Sequence, residues 1–387
     1  MAYYSDISRD FEKKKVVIKI DIDSPLINGE FLLKDKVLRY KKIFEELKYR
    51  KAKVFVLFEI GTSKFKNKSQ PSIKEISDIL SKFFDIKISY PNKPEVSNLQ
   101  YFLEEILPGE FFFWENLAIT EDEVKSSKLF NKIKEWADFF INDSFSIISK
   151  SFNSVKIKDS MDVVWGPNFQ KDLETVNNVL SSPKHPILLI LGGIQVEDFI
   201  AESLLPLTYK VDYVLLTGAW LSYYAYRFYN IGVEDFLDKK SIKVFDSISK
   251  DFFKRPNIIF PDDVRVYDPK TYRFADMPLD FVKEGLVIGD LGASSISKSE
   301  EIIDNAGTIV WIGSTGKYWI EGNDSVYKFA NVCARKISNK ILSGDDLLES
   351  LNLLRFDDLH KFEIVYGDGH SIIDFMLNKN KFDYLLS

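Results

Sequence analysis

Cysteine, arginine and net positive charge are all scarce in this chain, and it has no long unbroken apolar run. The single cysteine, Cys333, excludes an intrachain disulfide and is consistent with a reducing compartment. It falls in a helical stretch and is expected to be buried and inert. A net charge of −6, with a pI near 5.4, argues against general binding to nucleic acid or a membrane surface. The opening segment, MAYYSDISRDFEKKK, lacks the apolar core of a signal peptide. The most apolar long window, 213–233, is interrupted by Arg227 and by glycines, which argues against a membrane span. A cytoplasmic protein is therefore expected. Only nine of the 52 cationic residues are arginine, while phenylalanine occurs 32 times. An AT-rich genome, favouring Lys and Phe codons, accounts for both.

The 387 residues, 45% hydrophobic and 28% charged, suit a globular protein of two domains. In the first half, 16–23 (VVIKIDID), 53–61 (KVFVLFEIG), 110–116 (EFFFWEN) and 139–143 (FFIND) read as strands. Helical spacing covers 36–47, 72–84 and 124–137 between them. Such alternation predicts a parallel sheet with helices on both faces, and ligands at the carboxyl ends of the strands. Those ends carry Asp21, Asp23, Glu59, Glu115, Asn116, Asn142 and Asp143.

A helix is expected over 167–180. Beyond it, five apolar runs end in glycine: 187–193 (ILLILGG), 213–218 (YVLLTG), 286–292 (LVIGDLG), 308–316 (TIVWIGSTG) and 362–369 (FEIVYGDG). They read as buried parallel strands whose turns bring backbone N–H groups close to a ligand, an arrangement suited to phosphate. The expected division is 1–160 for the first domain and 161–373 for the second, which starts with the connecting helix. The tail, 374–387, is expected to pack back on the first domain.

Taken in order, these strand ends resemble those of phosphoglycerate kinases, over nearly the whole chain. Lys19-Ile20-Asp21-Ile22-Asp23-Ser24-Pro25 is similar to the family's R-x-D-x-N-x-P, with Lys for Arg and Asp for Asn. The family's substrate-gripping Arg falls on Lys36. Glu59 and Thr62 stand in place of the His and Arg of H-x-G-R-P. Glu115-Asn116-Leu117-Ala118 resembles E-N-x-R, with Ala118 for Arg. Asn142-Asp143-Ser144-Phe145 resembles N-D-A-F, and the expected His-Arg is Ser149-Lys150. In the second half, Leu191-Gly192-Gly193-Ile194-Gln195-Val196 resembles L-G-G-x-K-V, with Gln195 for Lys. Pro261-Asp262-Asp263-Val264 resembles P-x-D-V, and Asp290-Leu291-Gly292 the D-I-G turn. Trp311-Ile312-Gly313-Ser314-Thr315-Gly316 resembles W-N-G-P-x-G, Ser343 to Asp346 the G-G-G-D/H turn, and Tyr366 to His370 the closing T-G-G-G-A.

The resemblance implies two Rossmann-like, doubly wound α/β domains joined by a hinge helix. It implies 3-phosphoglycerate on the first domain, held by Lys19, Asp21, Asp23, Asn116 and Lys150, with Lys36 in the catalytic position. It implies Mg-ATP or ADP on the second, at Gly192, Gly193, Gln195, Gly313, Gly316, Lys317, Gly344, Asp346, Gly367 and Gly369, with Asp346 on Mg²⁺.

The replacements bear on activity. Phosphoryl transfer depends on positioning and on cations that stabilise phosphoryl oxygens, and arginine's fork suits that work. Lys19, Lys36 and Lys150 keep charge without the fork; Thr62, Ala118, Ser149 and Gln195 lose it. Codon bias accounts for Arg→Lys, not for those four. Each lost contact of this kind costs about 10²–10³ in rate. Three readings follow: a diverged member with weak or no transfer that retains nucleotide binding, an active enzyme in which Lys serves for Arg, and a pseudoenzyme acting as a scaffold or regulatory partner.

Several residues carry two readings each. Asp346 and Asp368 suit either Mg²⁺ or a helix N-cap. Asp21, Asp23 and Glu59 suit either a metal or sugar-hydroxyl site or plain polar strand ends. Trp220, Trp311 and Trp319 either fill the crevice or stack a base, and filling is expected for Trp319. His370 is expected to be a cap or surface residue.

Overall fold

The structure, a computed structural model, describes residues 2–4, 8–60, 71–116, 123–146, 163–194, 198–229, 231, 239–248, 250–367 and 369–382. By internal contacts the chain divides into two compact units, Met1–Leu173 and Glu174–Ser387. The division falls inside the helix Pro167–Leu180, whose bounds agree with the sequence reading.

The first unit is built on a seven-stranded sheet, parallel throughout. Its order is Ala2–Tyr3, Val163–Trp165, Phe139–Asn142, Lys15–Asp21, Lys53–Glu59, Phe111–Asn116, Ile88–Ser89. Alternation along the strands feeds two cores. Val16, Ile18, Ile20, Phe111 and Phe113 pack with Ile43, Phe44, Leu47, Ile76, Leu80 and Phe84 of the helices Lys41–Tyr49 and Ile73–Phe84. Val17, Phe112 and Trp114 pack on the other side with Leu99, Leu103, Leu129, Ile133 and Trp136. This two-sided burial explains the aromatic run 111–114 of the strand Phe111–Asn116: all four side chains are buried. The helix Ile73–Phe84 begins with a capping box in which Ser72 Oγ accepts from Glu75 N and Glu75 Oε2 accepts from Ser72 N.

The segment expected as one helix over 36–47 is two, Lys34–Leu38 and Lys41–Tyr49. Between them the backbone tightens: Tyr40 N donates to Val37 O, three residues back instead of four.

In the second unit six parallel strands run Ile258–Ile259, Tyr213–Leu216, Ile187–Leu191, Thr308–Ile312, Asn339–Ser343, Glu363–Val365. Numbered along the chain this is the doubly wound order 3-2-1-4-5-6, with its switch point between Ile187–Leu191 and Thr308–Ile312. Four of the five glycine-ended runs are strands of this sheet. The fifth, Val287–Leu291, is not. It lies antiparallel to Asp263–Asp268 in a separate three-stranded sheet with Arg273–Pro278. Antiparallel pairing is available there because the hairpin 263–278 supplies a partner strand, pinned by Arg265 on Asp276 and Asp324. The helix His370–Asn378 packs on Asp198–Leu207 within the second unit.

No helix among the described residues is long and apolar enough to cross a membrane. Cys333 is buried, and burial pushes its thiol well above the usual range, as expected of an inert core residue.

Candidate functional site

In the first unit the sheet's switch point lies between Lys15–Asp21 and Phe139–Asn142, paired in register at Lys19 and Asn142. Asp21 and Asp143 leave these two strands side by side, and Asp143 N donates to Lys19 O at 3.0 Å. Asp21 Oδ1 lies 2.7 Å from Lys36 Nζ, on a lysine that is completely buried. The same oxygen accepts from Asp23 N at 3.0 Å, and Oδ2 accepts from Ser146 Oγ at 2.9 Å. Burial works to raise the Asp21 pKa; the Lys36 ammonium and these donors outweigh it and hold the carboxyl below its ordinary value. The helix Lys34–Leu38 thus brings Lys36 to Asp21, two of the residues singled out by sequence. Lys19 is buried in its strand, and Asp23 is half-buried beside Asp21. Asn116 ends the strand Phe111–Asn116; its side chain, like those of Glu59 and Glu115, lies outside the described structure, as do Thr62, Ala118, Ser149 and Lys150 altogether.

Two residues of this region had no place in the sequence reading. Tyr40 Oη accepts from Asp21 N at 3.0 Å and donates to Asp143 O at 3.3 Å. Burial, then the nearby Asp21 charge, raises the phenol pKa well above 10, so the hydroxyl keeps its proton. Arg39 points to the helix Pro167–Leu180. Nη1 and Nη2 donate to Asp172 Oδ2 and Oδ1 at 2.9 and 2.8 Å, and Nε donates to Asn168 Oδ1 at 3.0 Å. Both side chains leave the tightened turn between the helices Lys34–Leu38 and Lys41–Tyr49. Scarcity was the available signal: an arginine three residues from Lys36, in a chain with few, marks a place where only the fork will serve.

Asp143 caps that helix from a distance. Its Oδ1 accepts from Asn168 N at 2.7 Å and Phe169 N at 3.2 Å, and Oδ2 accepts from Asn168 Nδ2 at 2.7 Å. Burial pushes its carboxyl up to about 7 against those donors. Gly166 is required here, since a Cβ would sit 2.3 Å from Asp143 Oδ1. The Asn-Asp pair of the strand end therefore serves the start of the connecting helix.

In the second unit the glycine turns meet one another. Gly192 N donates to Ile312 O, Gly193 N to Ser314 O, Gly218 N to Thr315 O, Gly313 N to Ser343 O and Gly344 N to Gly367 O, all at 2.7–2.9 Å. A Cβ on Gly192 would fall 2.4 Å from Ser314 O and 2.7 Å from Gly313 O. Close approach was legible in the sequence, but the approaching group is the neighbouring turn. The amides of Gly192, Gly193, Gly313 and Gly344 are engaged with backbone carbonyls.

Two further amides of the turns face a carboxylate. Asp346, at the start of the helix Asp345–Leu353, accepts from Ile194 N at 3.1 Å and Ser314 N at 3.3 Å through Oδ2, and from Leu347 N at 2.9 Å through Oδ1. It bridges the turns after the two switch-point strands, as an N-cap residue would and as an anion would. Gly316 is packed against Gly289 and Asp290, and Lys317 is buried with its N–H on Gly289 O at 2.6 Å. Gly367 carries the carbonyl bound by Gly344, and Gly369 precedes the helix His370–Asn378 with φ 80°. Gln195 and Asp368 lie outside the described residues.

Trp220 and Trp311 are fully buried, and their indole N–H groups donate to Gly192 O and Gly313 O. They fill the turns and offer no stacking face. Trp319 is half-buried, edge-on to Tyr318. His370 is buried, not on the surface. Among the described residues no group of three or more His, Cys, Asp or Glu could hold a metal ion.

Comparison with known proteins agrees with this architecture. The family model described as "Phosphoglycerate kinase" matches residues 5–379. A phosphoglycerate kinase of Wolbachia sp. subsp. Drosophila simulans (strain wRi) is 25% identical, covering 95% of this chain and 94% of that one. One from Clostridium botulinum (strain Alaska E43 / Type E3) is 27% identical over the same shares of the two chains. The crystal structure of phosphoglycerate kinase from Pyrococcus horikoshii OT3, 21% identical, superposes with a TM-score of 0.73 over 97% of this chain and 96% of that one, a likeness of fold. With the family's model matched from one end of the chain almost to the other, this protein belongs to the phosphoglycerate kinase family.

Proposed function

We propose that this family member transfers a phosphoryl group between ATP and 3-phosphoglycerate weakly or not at all, because its own carboxylates occupy groups that would otherwise hold anions. The observation that carries this reading is the Lys36–Asp21 pair at 2.7 Å. Lys36 stands where the family's gripping arginine falls, and its charge is met by a buried carboxylate. A phosphorylated acid entering there meets a neutralised cation, with Asp21 and half-buried Asp23 adding repulsion. Thr62, Ala118 and Ser149, in place of further cations, supply no replacement charge.

Asp346 supports the same reading in the second unit. It holds the amides of Ile194 and Ser314, so a nucleotide phosphate would have to displace it from both. Mg²⁺ is usually held by one or two carboxylates together with phosphate oxygens. Asp346 has its oxygens on three amides already, and in the sequence Gln195 stands where the family's motif carries Lys. The donor set as it stands does not fit a Mg-nucleotide.

Calorimetric titration of ADP and ATP with Mg²⁺, followed by a coupled kinase assay, tests the proposal. Nucleotide binding weaker than about 1 mM and a rate at least a hundredfold below the roughly 1–100 s⁻¹ of kinases is the expected result. Turnover in that range would establish an active enzyme with Lys doing the work of Arg. Tight nucleotide binding without turnover would keep the proposal for the first unit and overturn it for the second.

A further inference from the structure

The hydrogen bonds of the first unit form one continuous path from the Asp21–Lys36 pair to the connecting helix. It starts at the Lys36–Asp21 pair and passes from Asp21 N to Tyr40 Oη at 3.0 Å. From Tyr40 Oη it goes to Asp143 O at 3.3 Å. Asp143 then binds Asn168 N, Phe169 N and Asn168 Nδ2 at 2.7, 3.2 and 2.7 Å. Arg39, next to Tyr40, closes a second branch by gripping Asn168 and Asp172 on the same helix.

The links through Tyr40 and Asp143 are buried, those of Arg39 partly so, and the two ends of the path differ in kind. One is a charged pair at the strand end. The other is the exposed-dipole end of a helix whose first N–H groups need acceptors. A shift of Asp21 moves its own N–H, which Tyr40 can follow only by giving up Asp143 O. Close-packed interiors pass such shifts on, because displaced polar groups find no water to replace a lost partner.

We propose that Tyr40 and Asp143 relay the state of the Asp21–Lys36 pair to the first turn of the helix Pro167–Leu180. Whatever separates Asp21 from Lys36, an anionic ligand drawn to the lysine included, loosens the cap at Asn168 and Phe169. The later turns of this helix, from Glu174, belong to the second unit, so the relay acts on the segment that joins the two. The proposal is independent of whether the chain transfers phosphoryl groups.

Hydrogen exchange on the full chain tests it through a double-mutant cycle. Lys36→Met removes the ammonium, and Tyr40→Phe removes the hydroxyl alone. Lys36→Met is expected to speed exchange at the Asn168 and Phe169 amides by at least about tenfold, with Leu189 and Ile190 of the second unit as unaffected controls. In the Tyr40→Phe background the same change is expected to add less than about twofold. Lys36→Arg, which keeps a cation on Asp21, is expected to exchange like the native protein. If Lys36→Met does not fold, Asp21→Asn breaks the same pair from the other side and carries the same expectation. Exchange at Asn168 and Phe169 unchanged on breaking the pair, or effects of the pair and of Tyr40 that simply multiply, would overturn the relay.

Discussion

Arg39 holds Asp172 through two parallel hydrogen bonds of 2.9 and 2.8 Å, and among the described residues no other arginine–aspartate contact of the first unit is as deeply buried. Burial works to lower the guanidinium pKa, but Asp172 outweighs it and raises it; on the partner, burial prevails over Arg39 and lifts the carboxyl to about 6. Removing one member of a buried pair leaves an uncompensated charge. Arg39→Ala is therefore expected to cost about 3–5 kcal/mol in a urea titration. Arg39→Lys keeps the charge and loses the fork, so a smaller loss, on the order of 1–2 kcal/mol, is expected. A neutral result for Arg39→Ala would show that the pair does not anchor the helix.

Asp143 makes a contribution to the pH dependence of stability whose sign follows from its burial. Its carboxyl is raised by burial to about 7 in the folded chain, against an ordinary value of about 3.9 unfolded. A raised acid binds its proton more tightly when folded. Its contribution to stability is complete below about pH 4 and is lost as pH rises through about 7. Asp143→Asn, which takes no part in this titration, is expected to flatten the fall in unfolding free energy between those pH values. An unchanged slope would mean that Asp143 is ionised throughout, held by its three N–H donors.

How much of this was legible in the sequence depends on how local the cause is. The helix starting at Ser72, the helix begun by Pro167 and the aromatic strand follow from neighbouring residues, and all three were readable. The run at 286–292 was read as parallel because a short apolar stretch does not reveal its partner's direction, which the hairpin 263–278 sets. The strand Asn339–Ser343 was not singled out, since its sequence, NKILS, is short and only partly apolar. Tyr40 and Arg39 were hidden because 36–47 reads as one helix, and both side chains leave the tightened turn that divides it. The glycine turns announced a close approach; only the fold shows that they approach each other.

Gly192 is expected to tolerate no side chain. In Gly192→Ala the new Cβ meets backbone oxygens of Ser314 and Gly313, which cannot swing aside as a flexible side chain would. A loss of more than about 2 kcal/mol is expected in the unfolding of the second unit. Gly285→Ala makes a useful control: its φ is +88° with nothing within 4 Å of the added Cβ. Backbone strain alone is expected to cost about 1–2 kcal/mol there. Equal losses at the two positions would remove the argument from close approach.

Asp346→Ala separates the two uses of that carboxylate. Freeing the Ile194 and Ser314 amides is expected to cost about 1–3 kcal/mol in stability. It is also expected to strengthen the binding of pyrophosphate, measured by calorimetry, since those two amides lose the carboxylate that competes for them. If the variant binds pyrophosphate no better than the native chain, the carboxylate is a helix cap and does not compete with anions.

The central claim, that internal carboxylates have taken the place of anionic ligands, is tested most directly by the turnover number with saturating Mg-ATP and 3-phosphoglycerate in a coupled assay. The account predicts a value at least a hundredfold below the roughly 1–100 s⁻¹ typical of kinases. A rate within that range would contradict it, and would show that Lys36, paired with Asp21 in the resting protein, is released to the substrate.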